Sequence, residues 1–466
     1  MQLPEGYILI KNTEFELLLS TIVSLELMIK ELEGQKNKDS HNSHIPPSKD
    51  IVKVKNSRKP TGKKQGGQFG HQGKTLELVL VPDKIEKHKI KFCKLCSADL
   101  SNAKVTGYEK RQVFDIPKIL MEITEHQAEL KVCSCGCRNK ASFPASVKAP
   151  VQYGLNTQSL CVNLSNYQFL SYDRISELME DLTGYRINES TINTQNANLY
   201  SRLEIFETTV KDQLINSVVS HHDETGIYSE GKRIWLHSSS TPNLTHYAVD
   251  ANRGKAATDR INILAKKTGT IVHDNWATYF MYSNCSHALC NAHHLRELTW
   301  FEEEQDAMWA RALKNCLIQA KKQVEQAQLE GLTQLSEVKI SVIEKEYLQI
   351  ITNEIKATCV PEPNVKPRGK PKKTKQLNFL NRCVNHKDSV LAFVHNFDVP
   401  FDNNLAERDI RMIKVKQKVS GTFRSLSGAI HFARIRAYIS TVKKNNKNVF
   451  QEIKNALEGN PFIYTT

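Results

Sequence analysis

Ile215-Asn-Ser-Val-Val-Ser-His-His-Asp-Glu-Thr-Gly226 is answered, further along the chain, by Gly269-Thr-Ile-Val-His-Asp-Asn-Trp276. The first run is rich in β-formers and ends at Asp223; the second is a short apolar strand that leads to Asp274. Between them, Arg233-Ile-Trp-Leu-His and Leu244-Thr-His-Tyr-Ala-Val are separated by a Thr-Pro-Asn turn, which predicts a three-strand antiparallel meander. Ala257, Ile261 and Leu264 then recur at helical spacing between Gly254 and Lys267.

Strand, strand, strand, helix, strand is the opening of an RNase H-like α/β core. In such a sheet the ends of the first and fourth strands lie side by side, so Asp223 and Asp274 are expected to meet. A third carboxylate, Glu407, stands in Asp402-Asn-Asn-Leu-Ala-Glu-Arg408 at the start of a basic helix. Asn404-Leu-Ala-Glu407 also reads as a capping box, a purely structural role. Arg408, Arg411, Lys414 and Lys418 run along one face of that helix and set Glu407 beside a phosphate backbone. Three carboxylates from distant segments are hard oxygen ligands, suited to two Mg²⁺ or Mn²⁺ ions about 3.5–4 Å apart. One ion would lower the pKa of an attacking water or terminal 3′-hydroxyl, and the other would stabilise the leaving oxygen.

The formal charge of +14 over 466 residues attracts a polyanion, making nucleic acid the first partner to expect. No run of 18 or more apolar residues occurs, and Met1-Gln-Leu-Pro-Glu-Gly lacks the features of a secretion signal, which predicts a soluble cytoplasmic protein. Of 11 cysteines, five fall between 93 and 137, a clustering that suits metal binding better than a disulfide framework. Cys93-Lys-Leu-Cys96 points two thiolates at one ion, and Cys133-Ser-Cys135-Gly-Cys137 offers two or three more. Four soft ligands favour structural Zn²⁺; Cys133 and Cys135 are the preferred second pair, with Cys137 the alternative.

Phe15, Leu18, Ile22, Leu25, Ile29 and Leu32 follow the seam spacing of a two-stranded coiled coil and suggest a homodimer or a higher oligomer on DNA. A lone amphipathic helix is the alternative. The stretch from 36 to 90 reads as a basic flexible linker in which Lys63 and Lys64 would track phosphates. Arg174-Ile-Ser-Glu-Leu-Met-Glu-Asp-Leu, a glycine turn and Asn188-Glu-Ser-Thr-Ile-Asn predict two helices, either a DNA-binding helix-turn-helix or a hairpin packed on the core. The 132 residues between Asp274 and Glu407 exceed what a core needs, and Trp309, Leu313, Cys316, Leu317 and Ala320 mark a helical insertion. At its start Cys290 and His293 share one side of a helix, a structural contact more than a metal signal. A loop at 361–376 carries six Lys/Arg against one Glu and suits phosphates or mere solvation.

The motifs taken together resemble the transposases of the insertion sequence 66 family, of the DDE class. The resemblance is carried in co-linear order by the leucine-patterned start, Gly66-Gly-Gln-Phe-Gly-His-Gln-Gly73, the Cys-x-x-Cys domain and Gln152-Tyr-Gly. It continues through Asp223-Glu-Thr, His273-Asp-Asn-Trp, Cys290-Asn-Ala-His, Asp402-Asn-Asn-Leu-Ala-Glu-Arg, and Gly428-Ala to the end. It implies Asp223, Asp274 and Glu407 as catalytic carboxylates, an RNase H-like core broken by an all-α insertion, and strand cleavage and transfer on double-stranded DNA at the element's terminal inverted repeats and its target. A bacterial, nucleoid-associated enzyme is implied as well. His294-Leu-Arg-Glu297 departs from the His-Leu-Arg-Arg of many relatives, and Cys137 is an additional thiol.

The expected organisation is a leucine-patterned helix (1–35), linker (36–90), zinc-binding domain (91–150), helical DNA-binding segment (151–212), first part of the core (213–286), helical insertion (287–398), and the rest of the core with the catalytic Glu and C-terminal helices (399–466). Two other functions share much of this pattern: a zinc-containing DNA-binding regulator with an inactive core, and an RNase H-like nuclease acting on RNA or hybrids.

Overall fold

Val219 starts a strand that runs well beyond the expected end at Asp223, because a tight turn sends its partner straight back along it. A computed structural model describes residues 11–36, 38–39, 41–43, 76–115, 121–358 and 373–465. Ahead of the core lie α1 (Asn12–Lys36), the short hairpin β1 (Leu130–Val132) and β2 (Arg138–Lys140), and four helices, α2 (Leu155–Asn166), α3 (Tyr172–Thr183), α4 (Glu189–Arg202) and α5 (Glu204–Asn216). The core strands follow: β3 (Val219–Ser229), β4 (Lys232–Ser240) and β5 (Thr245–Asp250), then helix α6 (Lys255–Ile261), β6 (Thr270–His273) and β7 (Ser286–Leu289). Glu230 and Gly231 form the two-residue turn between β3 and β4, with φ of 52° and 72°, the conformation whose twist matches a hairpin. Pairing therefore persists from His221↔Ser240 to Ser229↔Lys232. Asp223 lies inside the strand, opposite Ser238, and not at its end.

The five strands are ordered β5-β4-β3-β6-β7, with β3 in the middle. The meander β3-β4-β5 is antiparallel, while β6 and β7 run parallel to β3. Sequence reading foresaw β3 to β6 and missed β7, whose Ser-His-Ala-Leu is too short to show a period. The parallel pairing of β3 with β6 covers only Val219↔Thr270 to His221↔Val272.

Among the described residues, six helices fill the interval before Glu407: α7 (Asn291–Gln305), α8 (Met308–Leu329), α9 (Glu337–Thr358), α10 (Lys375–Asn385), α11 (Lys387–Val390) and α12 (Ala392–His395). Leu313, Cys316, Leu317 and Ala320 of α8 turn inward with Phe301, Tyr347 and Phe379, giving this segment its own apolar core. Glu297, the departure from the usual arginine, binds Arg382 Nη2 at 2.6 and 2.7 Å and so ties α7 to α10. The chain leaves and rejoins the sheet at one place: the Asn291 N–H donates to the Phe401 carbonyl at 3.0 Å.

The last helices are α13 (Asn404–Ser420), α14 (Leu426–Lys444) and α15 (Val449–Glu458). Helices α13 and α14 cover the sheet face that carries Ile227, Ile234, Leu236 and Tyr247, contributing Ile413, Ala429, Ile435 and Ile439 to the shared core. The Tyr247 hydroxyl donates to the Asp409 carbonyl on α13, and Lys444 binds the Asp409 carboxylate at 2.8 Å. Leu264, Ile271, Tyr279 and Tyr282 form a smaller cluster around β6. In the preceding helical segment, Gly184 ends α3 in the left-handed region and the Asn188 side chain caps α4 by accepting from the Ser190 N–H, as the glycine turn and Asn cap predicted. Ile192, Gln195, Asn196 and Leu199 of α4 are buried, and its exposed face carries Asn193, Thr194, Asn198 and Ser201 without a basic side chain before Arg202. The six apolar seam positions of α1 are all exposed.

The start of β6 is held by a buried cation. Lys267 is fully enclosed; its Nζ donates to the Ile215 and Ser217 carbonyls, and burial pushes its pKa down to about 8. Gly269 passes so close to β3 that an added Cβ would sit 2.4 Å from both the Ser217 and Val218 carbonyl oxygens. Gly269→Ala is therefore expected to force β6 away from β3 and to cost about 1–3 kcal/mol, read as a fall in the midpoint of chemical denaturation; an unchanged midpoint would refute the close approach.

Candidate active site

The register that aligns β3 with β6 carries two further steps to Asp223 and Asp274, each two residues past His221 and Val272, the last parallel pair. Neither carboxylate needs a long side chain to reach the other, because neighbouring strands lie roughly 4.8 Å apart. The Glu224 N–H donates to Asp223 Oδ1 at 2.9 Å, and the Trp276 N–H donates to Asp274 Oδ1 at 2.9 Å, so each carboxyl is fixed by the backbone just after it.

Glu407 arrives from α13, and one residue brings it there. Asn403 is buried and uses all four of its polar groups: its Nδ2 donates to the His222 carbonyl at 2.8 Å, its Oδ1 pairs with His221 Nδ1 at 2.8 Å, its N–H points at Cys290 Sγ at 3.1 Å, and its carbonyl accepts the Glu407 N–H at 3.2 Å. Because Nδ2 faces a carbonyl, Oδ1 must be the acceptor, which puts the His221 proton on Nδ1. Burial lowers the His221 pKa and keeps that ring neutral. The helix start at Asn404 corrects the capping-box reading: the cap is Asn403, whose side chain makes no cap bond, and Glu407 sits one position beyond the capping-box site. Its carboxylate instead lies 3.6 Å from His293 Nε2 and 3.9 Å from Arg296 Nη2.

Electrostatics joins the three acids. Asp223 is pushed well above the ordinary carboxylate pKa, first by burial, then by the charges of Glu224, Asp274 and Glu407, against the Glu224 N–H bond that opposes the shift. Glu224, on the opposite face of β3 by strand alternation, is raised by burial and by Asp274. It is held by Arg253 at 2.9 and 2.5 Å and by the Tyr279 hydroxyl at 2.6 Å, and Arg253 in turn stacks on Trp235 and Trp276. Sequence reading missed this network, whose only signal was the Asp-Glu pair itself. A buried set of like charges is costly unless a cation neutralises it. Asp223, Asp274 and Glu407 offer oxygen donors of the hard type, but the structure does not bring one oxygen of each within 4.8 Å of the other two.

The other predicted residues fall in two groups. Arg408, Arg411 and Lys418 are exposed along α13, while the Lys414 ammonium is tied to the Gly226 carbonyl at 2.7 Å. Lys63, Lys64 and most of the 361–376 loop lie outside the described residues. Cys93 and Cys96 share one tight turn, closed by the Ser97 N–H on the Cys93 carbonyl at 3.0 Å. Cys133 to Cys137 form another, with Gly136 at φ 83° and the Cys133 N–H on the Cys137 carbonyl at 2.8 Å. The two turns are not brought into one four-ligand cluster. Among the described residues, the one group of three ligand-type side chains is Cys290, His293 and Glu407, within 4.8 Å of one another. Sequence reading had treated Cys290 and His293 as a structural contact. Burial pushes the Cys290 thiol up to about 12.

A family model described as "Transposase IS66 family" matches residues 150–431, from the helical segment through α13 and into α14. The chain belongs to the IS66 transposase family. All three acids of the site lie within the matched span. Curated proteins give no significant match to this family member. No helix among its described residues is long and apolar enough to cross a membrane.

The raised pKa of Asp223 has a definite pH signature. In the unfolded chain an aspartate releases its proton near pH 3.9, whereas the folded protein holds it to higher pH. Between those values the unfolded state binds fewer protons, so stability falls as pH rises through the window and the penalty is complete above the folded pKa. Asp223→Asn removes the penalty: its melting temperature is expected to exceed that of the unmodified protein at pH 7, and the gap to close near pH 4. Added Mg²⁺ should raise only the unmodified protein's melting temperature. Equal melting curves across this range would contradict the buried-charge reading.

Proposed function

We propose that this family member is a DDE-type transposase, a polynucleotidyl transferase with an RNase H-like core that binds the terminal inverted repeats of an insertion sequence and carries out metal-dependent strand cleavage and strand transfer. The observation that carries the reading is that Asp223 on β3 and Asp274, just past the end of β6, each lie two residues beyond the last parallel pair of those strands, with Glu407 electrostatically coupled to Asp223 from α13. The sheet order, with the first strand central, its meander on one side and two parallel strands on the other, supports the RNase H-like assignment.

Asp223, Asp274 and Glu407 would hold Mg²⁺ or Mn²⁺. The bound ions supply charge neutralisation and a more acidic attacking hydroxyl. The chain's own part is to keep three carboxylates in fixed positions before substrate arrives. Backbone N–H groups orient Asp223 and Asp274, Asn403 fixes the start of α13 against β3, and the Glu224–Tyr279 bond steadies the segment after Asp274. Arg408, Arg411 and Lys418 present cations along the same helix as Glu407, where a DNA backbone entering the site would run. The uncovered apolar seam of α1 supports a homodimer through that helix, since paired seams would bury Phe15, Leu18, Ile22, Leu25, Ile29 and Leu32. The two cysteine turns support a structural Zn²⁺ on Cys93, Cys96 and a second pair from Cys133, Cys135 and Cys137, with the turns drawn together on loading.

Asp223→Asn, Asp274→Asn and Glu407→Gln are each expected to lower cleavage of an inverted-repeat duplex by about 1,000-fold or more, with duplex affinity retained in a gel-shift measurement. Full activity of any one would remove that residue from the site. Arg408→Ala and Arg411→Ala should weaken binding to all sequences alike and reduce the slope of log affinity against log salt by about 1 each; an unchanged slope would place the DNA elsewhere.

A further inference from the structure

Glu407 faces two neighbourhoods. On one side is the Asp223 and Asp274 pair; on the other stand Cys290, the residue just before α7, and His293 in its first turn. One ligand atom from each of Cys290, His293 and Glu407 lies within 4.8 Å of the other two, and His293 Nε2 is 3.6 Å from Glu407 Oε1. A tetrahedral ion with bonds of about 2.0–2.3 Å holds its ligands roughly 3.3–3.8 Å apart, a spacing the His293–Glu407 pair already has. We propose that Cys290, His293 and Glu407 form a second metal site, for a single borderline-soft divalent cation of the Zn²⁺ type.

The donor set separates this site from the carboxylate cluster. Sulfur and imidazole nitrogen beside one carboxylate select Zn²⁺ over Mg²⁺, which demands oxygen ligands. Three protein ligands leave a fourth position open. Burial keeps the metal-free Cys290 a thiol, whose proton a bound ion would displace; the Asn403 N–H is aimed at Sγ at 3.1 Å, and Cys290 precedes the 15-residue helix α7, whose dipole favours the negative charge so formed. Its main chain is anchored as well, since the Cys290 N–H donates to the His273 carbonyl at 2.9 Å. The His293 N–H bonds the Cys290 carbonyl at 3.1 Å, closing the turn that sets the two side chains together. Arg296 does not compete for the same atom: it stands 3.9 Å from Glu407 Oε2, while His293 faces Oε1. Oε1 joins the ion and Oε2 keeps the guanidinium. Where the two-metal reading of the function holds, Glu407 is shared, and zinc in this site draws it away from Asp223 and Asp274.

The test is a metal count on the full-length protein, which needs no turnover and so is separate from the catalytic reading. Zinc is measured by elemental analysis after saturation and dialysis, for the unmodified protein, Cys290→Ala and His293→Gln, each also in a Cys93→Ser/Cys96→Ser background. One equivalent fewer is expected in both single variants, with the same difference in the cysteine-depleted background. Cobalt loading should add a thiolate-to-metal absorption band that His293→Gln weakens. Equal zinc in the unmodified protein and a folded His293→Gln overturns the proposal; this variant decides if Cys290→Ala does not fold, because the His293 side chain is 20% exposed and not part of the core.

Discussion

The arrangement of acids depends on one buried amide. Asn403 joins three parts of the chain at one point: the first half of β3, the end of β7 where Cys290 precedes α7, and the first turn of α13. Each of its partners is a group that burial would leave stranded without it, above all the His222 carbonyl one residue before Asp223. A carbonyl left unpaired in such a place costs about 1–3 kcal/mol, so the amide and the strand hold one another. The position of Glu407 relative to Asp223 is a by-product of this fit, fixed by four residues of helix and one side chain.

Much of the sheet was readable because its strands are punctuated. Thr-Pro-Asn breaks β4 from β5, and Gly269 opens β6, so their existence followed from local chemistry. What the residues did not disclose is how far pairing extends. The Glu230-Gly231 turn lengthens β3 past Asp223, and β7 has four residues and no alternation. The site was legible in part for a similar reason. Asp223 and Asp274 announce themselves by ending apolar runs, but the pairing register that aligns them is a tertiary property. Glu407 carries two local meanings, cap and ligand, and the helix start at Asn404, with Asn403 buried against β3, removes the first. Glu224 with Arg253 and Tyr279, and the approach of Cys290 and His293 to Glu407, join residues up to 117 positions apart and leave no periodic trace in the sequence.

The electrostatic design is one of tension held by shape. Burial and neighbouring acids raise Asp223 and Glu224 together, yet the two point to opposite faces of β3 and are handled differently. Glu224 is neutralised within the protein by Arg253, itself gripped between Trp235 and Trp276. Asp223 instead accepts the Glu224 N–H and stays raised by burial and by three neighbouring acids. One acid is thus committed to architecture, while its neighbour keeps its raised pKa.

The helices between β7 and α13 leave and return beside one backbone bond, Asn291 to Phe401, keep an apolar core of their own, and rest on the sheet through Ala392 and the Phe280–His386 stack. A loop closed at its neck transmits little of its internal length to what lies below. The distal helices α8 to α10 can therefore vary in length without altering the neck, whereas α7 cannot, because its His293 and Arg296 stand against Glu407. Glu297, which stands where many relatives have an arginine, is answered by Arg382 within these helices, so its charge is neutralised by α10 and not by the sheet.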